Sequence, residues 1–203
     1  MATGDLTTLA DVKFALEITS TANDGLIGLL ISSASSAIQH RYQREFYPVG
    51  TTTRRFEVQD RKVSLDPYDL LTPTTVTLYP ESTSPLVLTR YTDYDLAPVG
   101  ATTMNTYTDL VLSSFLVVTG QSMFRFGYAN MDVAGTWGAA AVPADVARAC
   151  IVTVASWRDR AVDQYGIQGI EAGRDMTPDN FTTWSIPSAA HRLMQAYERM
   201  SYV

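Results

Sequence analysis

The sequence predicts an α+β fold: a small helical bundle with a large antiparallel β insertion and a C-terminal helical arm. Three observations predict it. Two stretches with helical apolar spacing come first, short strands punctuated by turns follow, and helical spacing returns after Trp137. We divide the chain into N-terminal helices (1–48), a β-rich insertion (49–130), a hairpin with a core helix (131–164), and a linker with a docking arm (165–203).

The first helix is indicated by Leu9, Val12 and Leu16, which are spaced by three and four residues and form one apolar stripe. Thr7 or Thr8 precedes this stripe and can accept a hydrogen bond from an exposed amide of the first turn. The sequence therefore predicts a capped helix here.

A second apolar stripe runs from Leu26 to Tyr42 and predicts a helix of about twenty residues that ends before Pro48. Its middle, residues 32–37, contains only serine and alanine. Small side chains let another element approach closely, so we interpret this stretch as a packed face, within this chain or between copies.

Apolar and polar residues alternate from about residue 54 to residue 128, a period of two that is typical of half-exposed strands. Prolines and Gly100 interrupt the alternation, which favours the turns and edges of an antiparallel sheet. A long loop is expected over 97–107. The pattern leaves the strand pairing open.

The return to helix begins at Pro143, which fits a first helical position, and Asp145 complements the positive end of the helix dipole. Apolar spacing carries this helix to about residue 164. We expect Trp137 to anchor the packing of the preceding hairpin on the helix, with Pro143 as the second structural anchor.

The last segment, 186–200, has helical apolar spacing and is short. Burying its four large side chains contributes on the order of 6–12 kcal/mol, whereas ordering the segment costs roughly 20 kcal/mol. The segment must therefore dock either on its own core or on another polypeptide, and the long linker before it favours another polypeptide. We expect a chain without residues 187–203 to keep a folded core but to lose docking. The predicted interface residues are Phe181, Trp184, Leu193, Met194, Tyr197, Met200 and Tyr202.

Composition excludes several classes of protein. Fifteen basic residues against 21 acidic ones give a net charge of −6, which argues against gripping nucleic acid. The basic pairs Arg54–Arg55 and Arg61–Lys62 are interpreted as solvated groups or inter-chain ion pairs. Cys150 is the single cysteine, so an internal disulfide is excluded. Signal-peptide and membrane-span patterns are missing, and we expect a soluble protein made in the cytosol.

No catalytic, cofactor or metal-binding motif appears, so the sequence predicts no enzyme, no cofactor and no metal site. His40 and His191 are the two histidines, and neither has the partner spacing of a metal site. Asp93 and Asp95 superficially resemble a carboxylate pair, but a third oxygen donor is not implied.

Three stretches of this chain together resemble the head–tail connector (adaptor) proteins of long-tailed bacteriophages. Residues 6–13 with 23–44 are similar to the family's opening helix pair, and residues 135–149 to its hairpin-to-helix junction. The helix that runs to residues 157–160 is similar to its core helix. The strand-rich middle departs from the many members that are short and nearly all helical.

The resemblance implies a structural protein of the virion neck, made in the host cytoplasm. It implies a homo-oligomeric ring, typically of twelve copies, that binds the portal protein and extends the DNA channel without reading the DNA sequence. The ring would provide a platform for the next neck or tail protein, with no membrane partner. In several members the C-terminal segment docks on the portal, which suits residues 187–203.

Three alternatives stay open at this point. The first is a neighbouring neck or head-completion protein. The second is a carbohydrate- or receptor-binding β module of the virion, in which Tyr79, Tyr91, Tyr94 and Tyr107 stack on sugars. The third alternative is a hydrolase, which needs a catalytic role for one of the two histidines.

Overall fold

The computed structural model divides the chain into two compact units, residues 1–42 with 142–203 and residues 43–141. In their described parts, the first unit is helical and the second is made of strands, which confirms the predicted α+β fold class. The residues described are 4–58, 60–79, 84–98, 104, 106–113, 129–165 (backbone alone for 129 and 161–165) and 185–198.

Two helices open the helical unit, α1 (Leu9–Ala15) and α2 (Asp24–Tyr42). Thr8 caps α1, because its Oγ1 accepts a hydrogen bond from the Asp11 backbone N–H at 3.0 Å. The Thr8 hydroxyl in turn donates to the Asp11 carboxylate at 2.6 Å. Val12 is fully buried, so both the predicted cap and the predicted apolar face of α1 are confirmed.

The long helix α3 (Ala144–Tyr165) returns the chain to this unit. The Pro143 carbonyl accepts a hydrogen bond from the Ala147 N–H at 3.0 Å, so Pro143 is the capping residue that precedes the helix. The sequence predicts it one position later, as the first residue of the helix. A short helix, α4 (Ser188–Met194), packs on α3 and continues into a 3-10 turn (Gln195–Tyr197).

Seven strands form the described part of the second unit. They are β1 (Pro48–Val58), β2 (Lys62–Ser64), β3 (Leu70–Tyr79), β4 (Leu86–Leu88), β5 (Tyr94–Ala97), β6 (Asp109–Leu112) and β7 (Ala129–Gly138). Strands β1-β7-β3-β4 form one sheet and β2-β6-β5 form another, and all these pairings are antiparallel, as predicted.

Strand β7 lies inside the larger sheet, between β1 and β3. Met131 is paired with Phe56 on one side and with Leu78 on the other. Residues 131–138 therefore belong to the β unit, whereas the sequence had grouped 131–164 with the helices. Alternation shows which face of a strand is buried, but it does not show which strands lie beside it.

Trp137 is fully buried near the end of β7. Its ring centre lies 5.9 Å from that of Phe56 and 6.0 Å from that of Tyr68, and its indole N–H donates to the Thr52 carbonyl at 2.9 Å. Trp137 thus packs among strands of the β unit. Its expected role as an anchor between the hairpin and the helix stays a prediction.

Some sequence-based expectations lie outside the described residues. These are the strands expected between 116 and 128, residues 99–103 and 105 of the loop expected at 97–107, and residues 166–184 of the expected linker.

Candidate interface surfaces

The outward face of α1 carries an exposed aromatic side chain between two acids. Phe14 is 89% exposed, whereas Val12, on the opposite side of the same short helix, is fully buried. Asp11 and Glu17 lie three residues on either side of Phe14 and are also exposed. This arrangement presents one large apolar group with a negative border.

A groove of about 990 Å³ runs beside the outward face of α2. Leu29 is 65% exposed at this face, and His40 and Arg41 follow it toward the end of the helix. The lining residues are Leu29, Ser32, Ser33, Ser36, Ala37, His40, Arg41, Ser185, Ile186 and His191.

The serine- and alanine-rich middle of α2 has two faces with different neighbours. Ala34 and Ser35 are buried inside the helical unit, where the Ser35 hydroxyl accepts a hydrogen bond from the Leu6 backbone N–H at 2.9 Å. The same oxygen lies 3.6 Å from the Cys150 sulfur of α3. The packed face expected here is therefore formed within the chain, and the remaining small side chains line the groove.

Cys150 is a buried thiol, as its apolar surroundings in the sequence indicated. Burial raises the pKa of this thiol to about 11, although the Ser35 hydroxyl nearby opposes the shift. A thiol that stays protonated is a poor nucleophile, so Cys150 serves packing.

The last helix buries part of the predicted interface in its own unit. Met194 is fully buried and Tyr197 is 3% exposed, while Leu193 is half-buried. Phe181, Trp184, Met200 and Tyr202, also predicted for the interface, lie outside the described residues. The contact of this set with a neighbouring protein stays a prediction, and for Met194 and Tyr197 it requires the helix to leave its own subunit.

The two histidines have different surroundings. His191 lies with its Nδ1 3.0 Å from the Tyr42 hydroxyl, a hydrogen bond between α4 and the end of α2. His40 is exposed on the outward face of α2. Within the described ranges, His, Cys, Asp and Glu side chains form no group of three that could hold a metal ion.

The β unit contains an ionic cluster that the sequence did not reveal. Arg54 donates two hydrogen bonds to the carboxylate of Glu45, both at 3.0 Å. Its guanidinium carbon also lies 3.7 Å from the centre of the Tyr68 ring and 4.7 Å from that of Trp137. Arg54 is therefore held in the plane-stacked, bidentate geometry that arginine alone provides.

Asp69 lies beside this cluster with a fully buried side chain, and its oxygen is 3.4 Å from the Arg44 guanidinium. Burial raises the pKa of the Asp69 carboxyl to about 6, while Arg44 and the Thr106 hydroxyl act in the opposite direction. The Asp69 backbone carbonyl accepts a hydrogen bond from the Gly138 N–H at 2.8 Å, which ties the cluster to the end of β7.

The four tyrosines of the sugar-binding alternative do not share one exposed platform. Tyr94 is 5% exposed, and Tyr79 packs under the Arg55 guanidinium, 5.2 Å from its ring centre. Tyr107 is half-buried against the β core. Tyr91 is 77% exposed, so one ring of the four faces solvent widely.

The helices of the described residues include none with the length and apolar character that crossing a membrane requires.

Comparisons with known proteins bear on the N-terminal third and on the fold. The family model of the phage gp6-like head-tail connector protein matches residues 6–67. This match covers α1, α2, β1 and β2, so it extends into the region that the sequence had interpreted as an insertion foreign to the family. Among curated proteins, none matches this sequence.

The fold is similar to that of a solved chain from the neck of an empty GTA particle, a structure computed with C6 symmetry. The match covers 100% of this chain and 94% of that chain, with a TM-score of 0.52 and 12% sequence identity. The family that the sequence resembles is therefore the one whose model matches residues 6–67, which confirms the resemblance to phage head–tail connectors over that stretch.

Proposed function

We propose that the protein is the adaptor of a bacteriophage virion, which forms a ring beneath the portal, extends the DNA channel and provides the platform for the neck or tail. The match of residues 6–67 to the head–tail connector family carries this proposal. The role is structural: it consists of holding protein surfaces together and requires no chemical step.

The similarity of fold over the whole chain supports the neck location and the ring. The solved chain comes from a particle neck determined with sixfold symmetry, and cyclic symmetry joins copies through two different surfaces. The helical unit of this chain offers two such surfaces, the Phe14 face of α1 and the groove beside α2. The proposed ring has twelve copies, the number that the resemblance implies.

The charge of the chain supports a channel wall that does not hold DNA. A net charge of −6 repels phosphates, so packaged DNA can pass without being gripped. Sequence-specific DNA contacts are not part of this proposal.

Electron microscopy of the full-length protein with and without its purified portal tests the proposal. We expect an additional ring of density on the portal, coaxial with the channel. A protein that remains a monomer and never joins a portal would contradict the adaptor role. Binding to an adaptor-bearing portal, but not to the bare portal, would assign it to the neighbouring neck position instead.

Portal docking by the C-terminal segment is tested at the half-buried Leu193. We expect Leu193→Gln to weaken binding to the portal, while Gln195→Ala, at an exposed position two residues later, leaves binding unchanged. Both variants must keep the melting temperature of the parent. Equal portal binding by all three proteins would remove Leu193 from the docking surface.

A further inference from the structure

We propose that neighbouring copies of this chain join by placing the Phe14 face of one copy in the α2 groove of the next. The inference rests on the proposed ring and identifies the residues that close it. The Phe14 face comprises Asp11, Phe14 and Glu17, and the α2 groove is the groove lined by Leu29, Ser33, Ser36, His40 and Arg41, among others.

Phe14 is the most exposed large apolar side chain among the described residues, at 89%. It contributes little to the stability of its own unit, because its side chain points away from the face that Val12 buries. Aromatic side chains of this kind are the usual energetic centres of protein interfaces. The position of Phe14 is fixed by the Thr8 cap and by an ion pair of 2.7 Å between Lys13 and Asp24.

The α2 groove has the size and lining to receive such a group. Its volume of about 990 Å³ has room for an aromatic ring and the helical turn that carries it. Leu29, 65% exposed, gives an apolar contact, and Ser33 and Ser36 keep the floor low enough for close approach. The α2 groove is shallow and open, and Leu29 offers an apolar contact to an aromatic ring that enters it.

Charge complementarity selects a second copy as the occupant. Asp11 and Glu17 make the border of the Phe14 face negative, while Arg41 at the end of the groove is positive. In the described part of the chain, no ion pair engages Glu17 or Arg41. The Phe14 face thus carries the exposed negative charge of Glu17, and the α2 groove carries the exposed positive charge of Arg41, which can pair with it across the interface.

The two surfaces are different patches of one unit, so they form a head-to-tail contact instead of a symmetric dimer. A head-to-tail contact repeats from copy to copy and closes when the rotation at each step divides a full turn. This contact therefore gives the proposed ring a specific interface.

A charge-swap experiment on the full chain tests this interface. Sedimentation velocity and negative-stain microscopy would follow ring assembly, alone and on the purified portal, for Glu17→Arg, Arg41→Glu and the double variant. We expect each single variant to raise the concentration for half-assembly by about tenfold and the double variant to recover most of the loss. A double variant as defective as the singles would overturn the pairing.

The apolar part of the contact is tested from both sides. Phe14→Ala and the groove-filling Ser33→Trp should each reduce assembly by about tenfold or more without lowering the melting temperature, because both positions are exposed. Val87→Ala, at a 64% exposed apolar position of the β unit, is the matched control and should assemble normally. Normal rings from both test variants would overturn the inference while leaving the adaptor role intact. If the unmodified chain joins neither copies nor the portal, the adaptor role and this inference both fail.

Discussion

The guanidinium carbon of Arg54 lies 3.7 Å from the centre of the Tyr68 ring, so the two side chains stack against the core of the β unit. The Arg54 guanidinium also donates hydrogen bonds to the carboxylate of Glu45, three residues after the end of α2. The Glu45 backbone carbonyl also accepts a hydrogen bond from the Ala139 N–H at 3.1 Å. One ionic group thus ties together the beginning and the end of the β unit.

Replacing Arg54 by lysine should destabilise the β unit by about 1–3 kcal/mol, because lysine keeps the charge but loses the bidentate and stacked contacts. The side chain of Arg54 is 15% exposed, so water replaces little of what is lost. Urea unfolding followed by tryptophan fluorescence measures the change.

Arg55→Lys is the matched control for this change. Arg55 also donates two hydrogen bonds to one carboxylate, that of Asp132, and its guanidinium lies over the Tyr79 ring. Its side chain, however, is 61% exposed. Solvent screens such a pair, so we expect a much smaller loss. Equal losses at residues 54 and 55 would show that burial in the aromatic stack adds nothing.

The raised pKa of Asp69 should make stability depend on pH. Between the ordinary pKa of 3.8 and the folded value of about 6, the folded state holds a proton that the unfolded state has released. The stabilisation that this proton gives the folded state is therefore complete below pH 4, and it is lost as the pH rises through about 6. Its size is on the order of 3 kcal/mol.

Asp69→Asn removes this dependence, so its free energy of unfolding should fall less than that of the parent between pH 4 and pH 7. Dilute protein is needed, because the pI near 4.8 lies in this window. Asp132→Asn is a control of opposite sign, since the hydrogen bond from Arg55 lowers the pKa of Asp132 and its contribution is lost only in acid. Parallel pH profiles for the parent and Asp69→Asn would contradict the raised pKa of the buried Asp69 carboxyl.

Ser35→Ala should cost about 1–3 kcal/mol of stability in the helical unit, because it leaves the buried Leu6 N–H without its acceptor. Ser36→Ala, one residue later and exposed, should change stability by less than about 0.5 kcal/mol. Labelling of the buried Cys150 by a thiol reagent reports opening of the same unit and should be faster in Ser35→Ala alone. Identical labelling rates in both variants would contradict a structural role for the Ser35 hydroxyl.

Local signals in the sequence were enough to predict the helices. The Thr8 cap and the stripe from Leu26 to Tyr42 are patterns between near neighbours, and the structure reproduces them within a residue or two. The position of β7 between β1 and β3 depends on contacts between residues about fifty to ninety positions apart, which alternation does not encode.

The ionic cluster was missed for the same reason. Arg54 was interpreted as a solvated or inter-chain group because it belongs to an isolated basic pair in an acidic chain. Its stacking partners Tyr68 and Trp137 are distant along the chain. Asp69 gave no signal either, since a single acidic side chain is normally solvated. Two exposed groups, Phe14 and Leu29, were also missed, because apolar spacing alone does not show which residues stay uncovered.

The C-terminal segment gives the last prediction, and here the structure changes what we expect. From sequence, a chain without residues 187–203 should keep a folded core. In the structure, α4 packs on α3, and its Ala190 and Met194 are fully buried. Removing the segment therefore exposes part of the helical core, and we now expect the truncated chain to melt at a lower temperature.

Met194→Ala isolates this effect from the loss of the docking surface. Creating a cavity at a fully buried methionine costs about 2–5 kcal/mol, whereas the half-buried Leu193 should cost less when changed to alanine. Thermal melts followed by circular dichroism at the helical signal measure both variants. If Met194→Ala and the truncated chain retain the parent's melting temperature, the segment is energetically independent of its unit, as the sequence predicted, and it is available in full to a portal or a neighbouring copy.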